Sequence, residues 1–439
     1  MASDSGKSKQ RERQIERMVR RFEQEVREAW GEDDSNETLA DIEEQTRKLG
    51  EKVKKLYQKE KLDSKSCGYV GAHADCRCGW PARYKEDRVR RMVTLSGDVK
   101  MTRSYYYCDR CHAGFCPLDV ALDIGRKEYS CRVAALAGRV VSFLPHELAS
   151  RELAALTGIR LSASTLRRMG LAMGGQIARD WSEREADAFS DEPQLGSKQR
   201  PRQLHGSMDG VFIHVDGDYR EVKLGVAFQA ERESGVSHSN FYATLSDSGA
   251  FGRSMYALVF SSGGDRCSKI GIVADGGRWI WVEVGKYFVN KVQILDFYHA
   301  SEHLWEVARA RFGKAASDWV SCQQERLLEN GVALVIADIA AWRTQSDEDS
   351  KTKKTNLAYF KEHSTRMQYK TLKADGWHIG SGVQEASCRW VVQDRLKGVG
   401  MRWKTPGAEA MLHLRTAWCS TDPTDLIQVA RRAQQAPLS

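Results

Sequence analysis

Three acidic residues stand in settings suited to holding divalent ions: Asp209 in LHGSMDGVFIHV, Asp275 in SKIGIVADGGRWIWV and Glu385 in HIGSGVQEASCRWVVQDRLKGVGMRW. The two aspartates follow short runs rich in small and β-branched residues, which places each near a strand end. The glutamate lies in a stretch of helical character. If the intervening chain folds back, the three converge, and such a trio can bind two Mg²⁺ (or Mn²⁺) ions. Two ions about 3.5–4 Å apart activate a water or hydroxyl on one side of a phosphorus and stabilise the leaving oxygen on the other. Mg²⁺ takes oxygen ligands and keeps several waters, so a few carboxylates suffice. On this reading Asp209 bridges both ions, Asp275 completes one shell and Glu385 the other.

Each residue has a plainer explanation. Asp-Gly at a strand end is most often a turn, and Glu385 lies four residues before Arg389, the spacing of a surface ion pair. A competitor for the second aspartate is Asp296 in VQILDFYHASEHL, which also ends an apolar strand. His299 and His303 follow it on one helical face, so a zinc site built on Asp296, His299 and His303 is a further option, without an evident fourth ligand.

A second constellation is made of thiols. Six of the eleven cysteines fall in residues 61–125: Cys67, Cys76, Cys78, Cys108, Cys111 and Cys116. RMVTLSGDVKMTRSYYY between the two pairs reads as a β-hairpin turning at Ser96-Gly97-Asp98. A hairpin joining C-x-C to C-x-x-C brings four thiolates together, which suits a closed, structural zinc on Cys76, Cys78, Cys108 and Cys111. The first pair is tighter than C-x-x-C, so Cys67, His73 or Cys116 are alternative ligands. Further on, SRELAALTGIRLSASTLRRMG has the form of a helix-turn-helix. Leu153, Ala154 and Leu156 make its apolar stripe, Gly158 the turn, and Ser162 or Ser164 the next cap. The second helix would present Thr165, Arg167 and Arg168 to DNA. A purely structural three-helix unit fits nearly as well.

These groups need a frame. Ile15, Val19, Phe22, Val26 and Trp30 recur at helical spacing, and after GEDDSNET the pattern resumes at Leu39, Ile42, Leu49, Val53 and Leu56. Residues 1–60 therefore read as an N-terminal helical region, either a hairpin packed on the rest or a short dimerising coil. The remainder divides into a zinc-ribbon-like domain (61–125), a helix-turn-helix domain (126–182), a linker (183–206) and an α/β core in two parts (207–300 and 376–439). A helical insertion (301–375), with a loop at QSDEDSKTKKTN, interrupts that core. Arg309, Arg311, Lys314, Lys351, Lys353 and Lys354 there are candidate phosphate contacts. Trp390 reads as core, and Trp403 as core or a base-stacking ring.

The 439 residues carry a formal charge of +8 and only 8 prolines, which fits several ordered domains and permits a polyanionic partner. Neither a signal peptide nor a membrane-spanning run is evident, so a cytoplasmic, nucleoid-associated protein with no membrane partner is expected.

Taken together, the cysteine pairs with TRSYYYCDRCHAGFCPLD, the SMDG strand, ADGGRWIW, ILDFYHASEHL, and GSGVQEA followed by RLKGVGMRW resemble transposases of the ISKra-type insertion-sequence family, of the DDE class. The resemblance runs from about residue 60 to residue 420. It implies an RNase H-like core, a zinc-containing DNA-binding N-terminal region and Mg²⁺-dependent cleavage and strand transfer. It places the first acid on Asp209 and the last on Glu385. A wider likeness to Mutator-like transposases gives Asp275 the middle position, with Asp296 and His299 accessory. Expected partners are double-stranded DNA (terminal inverted repeats and target) and further copies of the chain when two ends are synapsed. The alternatives are a non-catalytic DNA-binding regulator and an RNase H-like nuclease of repair.

Overall fold

The computed structural model describes residues 2–30, 37–194, 200–231, 235–288, 291–422 and 424–435. Most of the GEDDSNET break and residues 195–199 of the expected linker lie outside them. The chain forms two compact units. One comprises Met1–Val140, His146–Met169 and Leu426–Ser439; the other comprises Val141–Pro145 and Gly170–Asp425. Among the described residues no helix is long and apolar enough to cross a membrane.

The first unit opens with α1 (Ala2–Trp30) and α2 (Leu39–Asp63), an antiparallel pair as expected. Thr38 caps α2 through a reciprocal exchange with Asp41. A four-stranded antiparallel sheet follows: β1 (His73–Asp75), β2 (Pro81–Thr94), β3 (Gly97–Tyr107) and β4 (Gly114–Phe115). The turn sits one step earlier than the sequence reading placed it. Thr94 pairs with Gly97, so Leu95 and Ser96 form a two-residue loop, and the Thr94 hydroxyl bonds the Gly97 carbonyl at 2.7 Å.

After α3 (Pro117–Ala121) and α4 (Cys131–Phe143) come α5 (His146–Thr157) and α6 (Ala163–Ala188), two consecutive helices separated by a short turn. Gly158 takes φ +72° at the turn, a conformation open to glycine at no steric cost. Ser162 accepts the Thr165 N–H at 3.2 Å and caps α6. The apolar stripe of α5 differs from the expected one. Ala149 and Leu153 are buried at i, i+4, whereas Leu156 is 80% exposed. Helix α6 also continues to Ala188, inside the stretch taken as linker, and the next strand starts at Leu204. The unit ends with α17 (Leu426–Gln435), whose Gln435 bonds Asp123 at 2.7 Å.

The second unit is a mixed sheet between helices. Its strands are β5 (Leu204–Val215), β6 (Asp218–Glu231), β7 (Gly235–Thr244), β8 (Ile270–Ala274) and β9 (Lys291–Leu295). Their order is β7-β6-β5-β8-β9, with β6 antiparallel to both neighbours and β5, β8 and β9 parallel. Parallel neighbours need a crossover. Helix α7 (Ser248–Ser261) lies on the path to β8, and α8 (Arg278–Tyr287) joins β8 to β9. Phe251, Met255, Ile272, Val284 and Ile294 are among the fully buried side chains of this core. A side chain of that size contributes roughly 1.5–3 kcal/mol when removed from water.

The helical insertion is α9 (Phe297–Phe312), α10 (Ala316–Glu329), α11 (Val332–Ala341), α12 (Asp347–Glu362) and α13 (Tyr369–Ala374). The loop expected at QSDEDSKTKKTN is instead the start of α12. Ser346 caps it, and Asp347, Glu348 and Asp349 occupy its first turn, where the helix dipole favours acids. Two of the candidate phosphate contacts are committed elsewhere. Arg311 pairs with Asp338 at 2.7 Å, and Lys353 bonds the Trp342 carbonyl at 2.7 Å. The chain then forms α14 (Gly382–Ser387), a π-helical turn (Cys388–Gln393), α15 (Asp394–Leu396) and α16 (Thr405–Cys419). Trp390, read from sequence as core, is 44% exposed because the π-turn rotates it outward against Phe241. Trp403 donates its indole N–H to the Leu396 carbonyl at 3.0 Å.

Burial pushes His205 and His413 down to about 4, so both are neutral in the folded chain. The unfolded chain binds their protons first, near pH 6.5. The stability they contribute is whole above that value and falls as the pH drops towards 4. Two buried imidazoles with such a shift carry on the order of 3 kcal/mol each. Thermal unfolding between pH 7 and 4 should show a steep loss of Tm, and His413→Gln should flatten it. An unchanged slope in that variant would remove His413 from the explanation.

Candidate metal centres

The four-stranded sheet places both cysteine pairs at one end. Cys76 to Trp80 makes the tight β1–β2 turn, with Cys76 N–H bonding the Trp80 carbonyl and Gly79 N–H the Cys76 carbonyl. Cys108 to Ala113 makes the β3–β4 turn, closed by the Cys108 N–H on the Ala113 carbonyl at 2.9 Å. The short C-x-C spacing therefore serves as one knuckle of a ribbon. Cys76 Sγ lies 3.5 Å from Cys111 Sγ, and Cys78 Sγ 3.6 Å from Cys108 Sγ. All four sulfurs lie within 4.8 Å of one another. Among the described residues this set includes neither Cys67, His73 nor Cys116.

The thiols perturb each other. The Cys111 and Arg110 N–H groups pull Cys108 down to about 7. At Cys111 the Ala113 N–H works the other way, yet crowding by the Cys76 and Cys78 thiols drives it up to about 12. Four sulfurs this close cannot all be thiolates without a cation between them. A tetrahedral dication fits that donor set, and zinc is the metal that thiolates of this geometry favour.

The second centre lies past the ends of β8 and β9 and beside the middle of β5, where Asp209, expected near a strand end, is instead paired with Leu224 because β5 runs on to Val215. Ser207 pairs with Val273 on the neighbouring parallel strand, and Ala274 with Leu295 on the next. Asp209 and Asp275 each stand two residues past the first pair; Asp275 and Asp296 each stand one past the second. The register thus lines up three aspartates at one level, on strands about 4.8 Å apart. Helix α14 packs over β5 and β6, held by Gln384, whose amide bonds the Leu224 carbonyl at 3.0 Å. One turn of helix carries Glu385 over the same ends.

The structure brings together Asp296, His299 and Glu385, with ligand atoms within 4.8 Å of one another. Glu385 is exposed, His299 half-buried and Asp296 fully buried. Asp209 adjoins this group: its Oδ2 lies 3.5 Å from Cys388 Sγ, one helical turn beyond Glu385. Burial raises the Asp209 carboxyl above its ordinary value, and the charge of Asp275 adds to the effect. Asp275, expected as the second metal ligand, is not in the close group. Its Oδ1 accepts the Gly277 N–H at 2.8 Å, and it acts on Asp209 and His299 through its charge. Burial opposes protonation of His299, but Asp296, Glu302 and Asp275 outweigh it and hold the imidazole above its usual value. His303 does not join. Its Nδ1 meets Asn356 at 2.6 Å and its ring stacks on Tyr359, so the option of a zinc site on both histidines is not what forms.

Four neighbours escaped the sequence reading. The Ser381 hydroxyl donates to Asp296, Cys388 flanks Asp209, and Tyr359 and His363 close the side beside Asp275. Ser381, Glu385 and Cys388 recur at helical spacing in GSGVQEASC, and that spacing was the available signal. Tyr359 gave none, because it lies 84 positions from Asp275 in sequence order. A Cβ at Gly276 would lie 2.4 Å from the Tyr359 ring, so this glycine serves close packing beside Asp275. Gly276→Ala should displace Tyr359 and lower Tm by several degrees, the range expected for about 1–3 kcal/mol of overpacking in a domain of this size. A Tm equal to that of the unaltered chain would contradict the packing role.

At the head of α6, Thr165 is half-buried and Arg167 and Arg168 are exposed, with the Arg168 guanidinium bonding the Thr165 hydroxyl at 3.2 Å. A family model described as an uncharacterised protein family (UPF0236) matches residues 80–434, a span that holds all four acids, Cys108 and Cys111. No curated protein matches the chain.

Proposed function

This chain belongs to the uncharacterised family UPF0236, and we propose that it is a DNA transposase of an insertion sequence, a DDE enzyme that cuts at the element ends and joins them to target DNA. The observation that carries the reading is the convergence of Asp296, His299 and Glu385, with Asp209 of β5 adjoining them through Cys388 and Asp275 acting on it by charge. The strand order, with three parallel strands and one antiparallel neighbour, supports an RNase H-like core.

Asp209 and Asp275 would hold one Mg²⁺ or Mn²⁺, and Asp296, His299 and Glu385 the other. Such a pair, when bound, supplies a nucleophilic hydroxide or 3′-alkoxide and neutralises the leaving oxygen. The residues themselves do the rest. The Ser381 hydroxyl fixes the Asp296 carboxylate, so that one oxygen is oriented before any ligand arrives. The Glu302 carboxylate, 3.1 Å from His299 Nδ1, leaves Nε2 of that ring for the pocket. Burial of Asp296 keeps water from competing for its oxygens. Arg167 and Arg168, exposed at the start of α6, would track the phosphates or guanine edges of the terminal repeats, and the thiolate centre would hold its ribbon rigid.

A DNA-binding regulator without catalysis would have no use for this many converging carboxylates. The experiment is incubation of the purified chain with duplexes carrying the element's own ends, with Mg²⁺ or Mn²⁺. Strand cleavage at the end is the expected result. Specific binding without any cleavage would support the regulator, and cleavage of random duplexes alone would support a repair nuclease.

A further inference from the structure

One cavity in the second unit takes no part in the chemistry above. It measures about 790 Å³ and opens between the later half of α6, the edge strand β7, α7 and α16. The register puts it away from the second metal centre. Asp209 pairs with Leu224 and Leu224 with Ala243, so these three share one face of the sheet. Tyr242 and Thr244 flank Ala243, project from the other face and line the cavity. The sequence makes the room. Gly174, Gly175, Ala178, Ser182 and Ala186 recur at helical spacing along α6 and all line it. Helix α16 meets that stripe closely at one end, where a Cβ at Gly174 would run into the Ala410 carbonyl. Beyond this contact the short side chains leave a gap. Its volume falls within the roughly 300–1,000 Å³ of small-molecule sites.

The walls are of two kinds. Trp181 and Tyr242 stack with ring centroids 4.5 Å apart and give an apolar side. Two carboxylates give a polar one. Glu185 is held by the Arg253 guanidinium at 3.1 Å and by the Ser254 hydroxyl at 2.6 Å. Glu409 accepts the Leu245 N–H at 2.7 Å through Oε1 and shares the Thr244 hydroxyl between both oxygens. His413 lies one turn further along α16. Its Nε2 stands 3.7 Å from Glu409 Oε2, too far for a hydrogen bond. The imidazole is only 8% exposed, and among the described residues its ring makes no hydrogen bond. Being neutral, it offers one bare acceptor nitrogen to the cavity. Burial raises the Glu409 carboxyl above its ordinary value. Burial, with the charges of Glu409 and Glu185 adding to it, pushes the Tyr242 phenol up to about 12. Arg220, which acts on Glu409 by charge, bonds Thr405 at 2.7 Å and does not line the cavity.

We propose that this cavity binds a linear alkyl diamine or polyamine, with one ammonium seated between His413 Nε2 and Glu409 Oε2 and the methylene chain lying along Trp181 and Tyr242 towards Glu185. Two acceptors 3.7 Å apart suit one ammonium, whose N–H donors reach both at about 2.8–3.0 Å. The cation would satisfy the buried imidazole and stand against the Glu409 carboxylate. An anion would meet two carboxylates, since Arg253 is already held by Glu185. An uncharged ligand would leave Glu409 uncompensated. The inference is independent of the transposase reading, since it rests on residues outside both metal centres.

The test is isothermal titration calorimetry on the full chain with putrescine and spermidine, and with butane-1,4-diol as an uncharged match. The amines should bind at one site per chain, and the diol at least about a hundredfold more weakly. Glu409→Gln keeps an acceptor for the Leu245 N–H and should weaken both amines at least about tenfold. Ser182→Phe alters an exposed position of α6, so the fold is kept, and its ring should narrow the cavity and weaken the amines by at least as much. This variant decides by itself if Glu409→Gln does not fold. Asp209→Asn should bind the amines as the unaltered chain does. Failure of both amines to bind, equal binding of the diol, or amine binding indifferent to Ser182→Phe and Glu409→Gln would each overturn the proposal. So would loss of binding in Asp209→Asn, which would place the amine at the metal-centre carboxylates instead.

Discussion

Asp209→Asn should abolish cleavage of end-containing DNA, by at least about a thousandfold or roughly 4 kcal/mol of transition-state stabilisation, while leaving end binding and the fold intact. The sign of the stability change is part of the expectation. Burial and Asp275 raise the Asp209 carboxyl, so the fold favours its protonated form. That contribution is whole below the ordinary carboxyl value and is lost as pH rises through the raised one. Above that raised value the metal-free chain holds Asp209 ionised against its surroundings. Asp209→Asn removes this opposition, and the metal-free Tm should rise or hold. Mg²⁺ or Mn²⁺ should raise the Tm of the unaltered chain and do so much less in the variant. Asp296→Asn and Glu385→Gln should be equally inactive. Asp275→Asn divides the two assignments of the second ligand: inactivity makes it a ligand, and residual cleavage within about tenfold leaves Asp296 with that role. Loss of DNA binding in Asp209→Asn would remove the catalytic assignment.

Zinc removal should be the largest structural effect. Structural zinc contributes about 10–16 kcal/mol of apparent binding free energy at pH 7, and the small core around Ala74, Ala82 and Tyr106 has little else beneath the knuckles. A strong chelator, or Cys108→Ser, should release one zinc per chain and unfold the β1–β4 ribbon. End binding should fall with it. The mixed sheet has its own core, so its buried histidines should keep their pH-dependent transition. Full retention of zinc in Cys108→Ser would mean that another residue completes the shell.

The site was legible in sequence to the extent that its residues end apolar strands or repeat at helical spacing. Asp275 and Asp296 each close such a strand, whereas Asp209 lies inside β5, which runs on to Val215 paired with β6; what the pattern lacked was the strand order. The choice between Asp275 and Asp296 turns on a few ångströms of side-chain reach, which spacing does not encode. The thiol cluster was readable because two paired spacings flank one hairpin. Tyr359 and His363 were not, since they arrive from the inserted helices by tertiary packing alone. The α12 start was misread as a loop because a polar, lysine-rich stretch resembles one until Ser346 is recognised as a cap. Leu156 and Trp390 were taken as buried on hydrophobicity, while local helix geometry turned both outward.

The central claim is that two divalent ions bind between these carboxylates. Anomalous diffraction from crystals grown with Mn²⁺ tests it most directly. The expected map has two peaks about 3.5–4 Å apart, one against Asp209 and one among Asp296, His299 and Glu385. A map with no manganese beside Asp209, at saturating ion and neutral pH, would contradict it.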